Sequence, residues 1–275
     1  MSAKTTQRIA EALAWMAGVF TLAVLFSLVF YVLWRGLPVV NLRFLLSNPE
    51  SMGRAGGIFP TIAGTAALTL VAIVIAVPAG VGTAIYLTEY TQESTLTRLI
   101  RFGTDSLAGV PSIIFGLFGF VFFVITLKMS WSILAGGLTL AMMILPTIVR
   151  TSEEAIRAVP HDLRQASFAL GATRWQMVTT VVLPGALPGI VTGIVLSIGR
   201  SIGETAAVIL TAGSSLGLPT SLLSPVRTMA VHFYILAREG ISDQAAWGTG
   251  AVLIVAVLFI NVVINWLINR MVVRG

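Results

Sequence analysis

Long apolar runs alternate with short polar clusters from one end of the chain to the other. A helix needs roughly 20 apolar residues to cross a bilayer. On that measure the pattern predicts six spans, at about 12–34, 60–86, 106–127, 131–149, 186–212 and 247–268. Pro78, Pro111 and Pro146 fall inside three of these spans; each lacks a backbone donor and should kink or interrupt its helix. The loops 35–59 and 213–246 contain apolar pieces, Leu42–Leu46 and Met229–Leu236, that predict short helices along the membrane interface, where they would offer a docking surface. His232, in the second piece, reads as a packed residue rather than a ligand. With no internal repeat, the organisation expected is one membrane domain: an N-terminal anchor span and outer loop over 1–59, then a core of five spans over 60–275.

Only 10% of the 275 residues are charged and the mean hydropathy is +0.94. Soluble domains carry about 25% charged residues, so the chain is an integral membrane protein. A net charge of +6 would suggest nucleic acid in a soluble protein, but here the charges are dispersed through short loops between spans. Ten basic residues fall on one side of the predicted spans: Lys4, Arg8, Arg98, Arg101, Arg150, Arg157, Arg164, Arg174, Arg270 and Arg274. Six fall on the other (Arg35, Arg43, Arg54, Lys128, Arg227, Arg238), and Arg200 sits within a span. Positive-inside bias then places both termini and the 150–185 loop in the cytoplasm. The run from Ala12 to Trp34 is too long for a signal-peptide core and lacks a following cleavage site, so it reads as an uncleaved anchor. With no cysteine, disulfides, thiolate metal sites and thiol nucleophiles are excluded.

The 150–185 loop is the one long polar interruption with a regular design. Leu163, Ala166, Ser167 and Leu170 are spaced to share one face of a short helix. Gly171 can take the positive φ that ends it, and Thr173 is placed to cap a second helix running through Trp175 and Met177 to Leu183 before Pro184. On spacing alone this also fits an amphipathic loop on the membrane surface. The stretch resembles the cytoplasmic loop of ABC importer permeases, E-A-A-x3-G-x9-I-x-L-P. Gln165, Ala166, Ser167, Gly171, Val181, Leu183 and Pro184 occupy its positions with every spacing kept, and Gln165, Ser167 and Val181 replace Glu, Ala and Ile. The resemblance implies that the short helix docks on a separate ATPase.

Arg200 and Glu204 are the charged residues well inside a predicted span. Ionisable groups at that depth point to function by default. In a continuous helix Gly193, Ser197, Arg200, Glu204, Ala207 and Thr211 share one face, so Arg200 and Glu204 should form an ion pair one turn apart. The alternative is a self-satisfied pair that merely glues the bundle, a job Ser or Asn would do at lower desolvation cost. Gly185, Gly189 and Gly193 form an edge for close helix packing. The segment Ile198–Ala207 (IGRSIGETAA) resembles the R-x-I-G-E-T signature of phosphate-specific ABC importer permeases, and Leu107–Gly119 extends the likeness. The short N-terminal region and the G-E-T-A-A run are more similar to the A-type (PstA) subunit. The resemblance implies a substrate pathway through Arg200, Glu204, Ser197, Ser201 and Thr205, with Glu204 holding Arg200 until an anion takes it.

No G-x-x-x-x-G-K-[ST], H-E-x-x-H or G-x-S-x-G motif occurs, and no His–carboxylate pair lies within a span. That argues against an enzyme. The fold expected is an all-α integral membrane protein of six transmembrane helices, with the ABC importer (MetI-like) permease architecture and a cytoplasmic coupling helix. The resemblance implies a multi-pass subunit of the bacterial inner membrane with no cofactor or metal of its own. Its partners would be a second permease, a cytoplasmic ATPase dimer that binds ATP and magnesium, and an external phosphate-binding protein. A permease for phosphonate, sulfate or molybdate remains open. So does an ion-coupled secondary transporter, although such carriers often show inverted repeats.

Overall fold

The computed structural model describes residues 3–272. Arg274, counted among the basic residues above, lies outside the described residues. The architecture is a bundle of long helices. α1 (Ala3–Gly36) leads through a 3-10 turn to α2 (Leu42–Leu46), and a two-residue hairpin of β1 (Pro49–Glu50) and β2 (Ala55–Gly56) precedes α3 (Phe59–Ile85). Then come α4 (Thr95–Ala108), α5 (Ser112–Gly119), α6 (Ile133–Ala158), α7 (His161–Ala169) and α8 (Arg174–Met177). α9 (Leu183–Ile202), α10 (Ala206–Thr211), α11 (Met229–Arg238) and α12 (Asp243–Val272) complete it.

Five helical stretches are long and apolar enough to cross a membrane: Ala10–Val39, Phe59–Tyr90, Ile133–Ala158, Arg174–Ile202 and Asp243–Ile264. The predicted span 106–127 is not one of them. Its Ser112–Thr126 part meets Thr95–Ala108 at 102° across Gly109–Val110–Pro111, so a sixth span exists only if that bent pair counts as one. Of the three prolines, only Pro111 interrupts; α3 and α6 run unbroken through Pro78 and Pro146. α4 lies outside the predicted spans except for 106–108: a capping box between Ser94 and Thr97 starts it, and Leu96, Leu99 and Phe102 leave an apolar stripe exposed.

The core lies between α3 and α6, where Leu68, Ala72 and Ala76 meet Leu140, Ile144 and Ile148, with Phe115, Val208 and Ala212 closing one side. A second cluster joins Ala84 and Ile156 to Val178, Val182 and Ala186. The predicted glycine edge packs α9 on α6: a Cβ at Gly189 would lie 2.6 Å from that of Ala155, one at Gly185 would crowd Val159, and one at Gly193 would run into Thr151. α1 touches the rest mainly along α12, through Gly36 on Trp247 and an edge-on pair of Tyr31 and Trp247.

The C-terminal end of α1 therefore meets the N-terminal end of α12. The start of α3 lies there too, since Ile58 packs with Ala245, whereas the end of α3 meets α7. Both described ends of the chain accordingly share one end of the bundle with α7 and α8. α11 sits at the opposite end. It is not the interfacial docking helix expected: Met229, Ala230, Val231, His232, Ile235 and Leu236 are all buried. The apolar run that suggested a membrane surface is satisfied by protein instead. Arg227 bridges the preceding loop by donating from Nε to the Ser214 carbonyl at 2.9 Å and from Nη1 to His232 Nδ1 at 3.4 Å.

Candidate functional site

The 150–185 loop folds largely as its sequence dictates. Gly171 takes φ +83° and ends α7 with paired bonds, Gly171 N–H to the Phe168 carbonyl at 2.9 Å and Ala172 N–H to the Ser167 carbonyl at 3.2 Å. Thr173 then caps α8: its Oγ1 accepts from Gln176 N–H at 3.3 Å, while Gln176 Oε1 accepts from Thr173 N–H at 2.8 Å. Leu163, Gln165, Ala166 and Leu170 face outward, Leu170 being 89% exposed. Ser167 departs from the expected face and turns inward.

The second helix does not stop at Pro184. It passes from α8 through a π-turn at Val178–Val182 into α9 without a break. The π-turn is where the ladder changes register, with Leu183 N–H reaching the Val178 carbonyl, so the missing donor of Pro184 interrupts nothing. Val181, Leu183 and Pro184 thus stand apart from the α7 tip. Leu183 and Pro184 line an apolar groove between α9 and α3, opposite Val77, Pro78 and Val81.

The predicted charged pair is reorganised. α9 ends at Ile202, and Gly203, Glu204 and Thr205 form a turn before α10. Glu204 Oε1 accepts from Ala207 N–H at 3.1 Å, capping the first turn of α10. The ion pairs formed among the described residues belong to Arg101, Arg150, Arg157 and Arg164, and Arg200 makes none with Glu204. The expected pair fails because its premise, a continuous helix through 212, fails at a Gly-Glu-Thr sequence better suited to a cap than to a helix interior. Ser197 is buried and donates to the Gly193 carbonyl at 2.9 Å, and Ser201 is buried with its hydroxyl unpartnered. Thr205 is half-buried and Arg200 exposed. Beside it, a side chain placed at Gly199 would meet nothing within 4 Å. The five residues therefore do not converge within this chain: two serines pack inward, while Arg200 looks out from an open face of α9.

Sequence reasoning missed the anchoring of α7. Arg164 donates to Glu89 Oε1 from Nη2 at 2.9 Å and from Nε at 3.2 Å, and Arg174 Nη1 donates to the Glu89 carbonyl at 3.1 Å. Beside them Glu153 accepts from Arg101 at 2.7 Å and from Arg157 at 2.6 Å. The i,i+4 spacing of Glu153 and Arg157 was legible; the partners 52 and 75 residues apart were not.

Residues 76–274 match the family model of the binding-protein-dependent transport system inner membrane component. The chain is similar to a probable ABC transporter permease protein, YqgI, of Bacillus subtilis, 33% identical over 97% of this chain and 96% of that one. It is also similar to the phosphate transport system permease protein PstA of Pasteurella multocida, 32% identical over 94% and 93%. Among solved structures, the inward-facing MetNI methionine ABC transporter shares the fold at TM-score 0.61 and 24% identity, over 78% of this chain and 94% of that one. An alginate-importing bacterial ABC transporter does so at 0.61 and 16%, over 97% and 99%. The family match covers most of the chain, and the chain belongs to the inner membrane components of binding-protein-dependent transport systems.

Proposed function

We propose that the chain is the permease subunit of an ATP-driven importer and that its cargo is inorganic phosphate. The exposed Arg200 guanidinium on the open face of α9 carries this reading. Its planar, permanently charged fork suits two oxygens of a tetrahedral oxyanion at once. The phosphate-transport names of several relatives support the cargo. Glu204 and Thr205 border the path at the α9–α10 turn, and Ser197 and Ser201 form the wall behind it. A second permease closes the open face from the other side.

The α7–α8 end and both termini face the cytoplasm, in keeping with the ten-to-six division of basic residues. There Gln165, Ala166, Ser167 and Gly171 shape the tip that docks on an ATPase dimer, which holds ATP and magnesium; Val181, Leu183 and Pro184 join the tip to α9. An external phosphate-binding protein delivers the anion at the α11 end. Residues 1–59 anchor the subunit, and residues 60–275 form the transport core.

Uptake by the complex reconstituted in vesicles tests the reading. Arg200→Lys keeps the charge but not the fork, and should lower phosphate uptake at least about tenfold while the complex assembles. Arg200→Leu strands no partner within this chain and should abolish uptake. Phosphate uptake by assembled Arg200→Leu near the wild-type rate would end the proposal for Arg200. Competition by sulfate or molybdate in place of phosphate would reassign the cargo.

A further inference from the structure

The anion path makes no use of Arg164 and Glu89, yet their pairing joins three helices at one point. Glu89 lies in the π-turn Tyr86–Tyr90 that prolongs α3, and Arg164 in the first half of α7. Their side chains are 8% and 12% exposed. Besides its two bonds to Glu89, Arg164 donates from Nη2 to the Ile156 carbonyl at 2.7 Å and from Nη1 to the Val159 carbonyl, at the end of α6. One guanidinium thus holds a carboxylate at the end of α3 and the last carbonyls of α6, where a helix terminus favours a cation. Arg174 adds a second grip on the same turn, through the Glu89 carbonyl and with its guanidinium 5.8 Å from the centre of the Tyr90 ring.

α7 has little else to fix it. Ser167 is its one buried residue, so no apolar face anchors it to the bundle. Relative to α9 it is held by the short Gly171 turn into α8 and by packing on the Val178–Val182 π-turn; relative to α3 and α6 it is held by these charge-assisted bonds, which burial shields from salt. Beyond the joint, α3 and α6 share the main core, and the second cluster joins Ile156 and Ala84 to α9.

We propose that Arg164 and Glu89 are positioning residues, the strut through which a displacement of α7 by the ATPase reaches α3 and α6 together. This rests on the reading of α7 as the docking element. Breaking the strut should uncouple the two activities: the ATPase docks and hydrolyses, but the spans do not follow.

The test is phosphate uptake per ATP hydrolysed, with uptake normalised to assembled complex. In Glu89→Gln and Arg164→Lys the ratio should fall about tenfold or more while the ATPase still co-purifies. An unchanged ratio would overturn the strut, as would a loss confined to assembly. The lack of native cysteine supplies a second arm. Glu89→Cys with Arg164→Cys should be uncoupled until a flexible bismaleimide bridges the two thiols, and coupled afterwards; bridging that restores nothing overturns the proposal. ATPase docking is read separately by crosslinking from Leu170→Cys. A docked ATPase with an unchanged ratio refutes the strut alone, whereas no crosslink and no co-purification refutes the docking reading itself.

Discussion

Arg227 and His232 share a hydrogen bond in which Nη1 donates to Nδ1 over 3.4 Å, at the end of the bundle opposite α7. A guanidinium can only donate, so His232 Nδ1 is the acceptor of a neutral imidazole. The ring is 1% exposed, and burial, with a smaller contribution from Arg227, lowers its pKa to about 4. Unfolded, the same imidazole titrates near 6.5. Between those values the unfolded chain binds more protons than the folded one, so the contribution of His232 to stability is full above about pH 6.5 and falls as pH drops towards 4. Replacing His232 with Gln should flatten that part of the pH–stability curve of the purified protein in detergent. An equally steep acid slope in His232→Gln would assign it to other groups.

Gly193 admits no side chain against Thr151. Gly193→Ala should force α9 off α6 and cost about 1–3 kcal/mol, the usual range for overpacking. Ala at Thr151 removes the hydroxyl, the atom nearest the added Cβ, and should recover part of the loss. Thermal unfolding of the two single variants and the pair checks this, and strict additivity would mean that they do not touch.

Gly171 stands in open space, with nothing within 4 Å of an added Cβ, but at φ +83°. Its restriction is conformational rather than steric. Asn, which tolerates left-handed backbone, should therefore be accepted better than Val, which resists it. ATP-driven uptake at matched expression is expected to rank Gly, Asn, Val. Equal uptake by all three would show that the turn between α7 and α8 does not set coupling.

Orientation is testable by labelling, since an introduced thiol is the only one in this chain. Ser214→Cys in the loop before α11 and Thr173→Cys at the start of α8 lie at opposite ends of the bundle. An impermeant maleimide should reach position 214 from outside intact cells and position 173 only after permeabilisation. The reverse pattern would invert the topology.

What the sequence made legible is local. Gly171 and Thr173 act within a few residues of themselves, and their roles follow from φ and capping chemistry. The spacing of Gly185, Gly189 and Gly193 identified the packed edge of α9, although not Thr151 and Ala155 as its partners. The failures had two causes. A search for long apolar runs passed over α4, whose apolar positions are interrupted by Thr97, Arg98 and Arg101, and read Gly203–Thr205 as helix because apolar residues lie on both sides. The burial of α11 and the Glu89–Arg164 contact depend on residues far away in the chain, which no pattern within a window contains.

The closeness of α6 and α9 has a mechanical consequence. Helices separated by ordinary side chains can slide or roll as rotamers exchange, whereas Thr151, Ala155 and Val159 sit over three glycines with no side chain between to rearrange. The pair is geared rather than lubricated. A movement entering at the α7 end, as proposed for the strut, would therefore meet α6 and α9 as one lever. Arg200 lies near the far end of α9, so any rotation of that lever would carry it along.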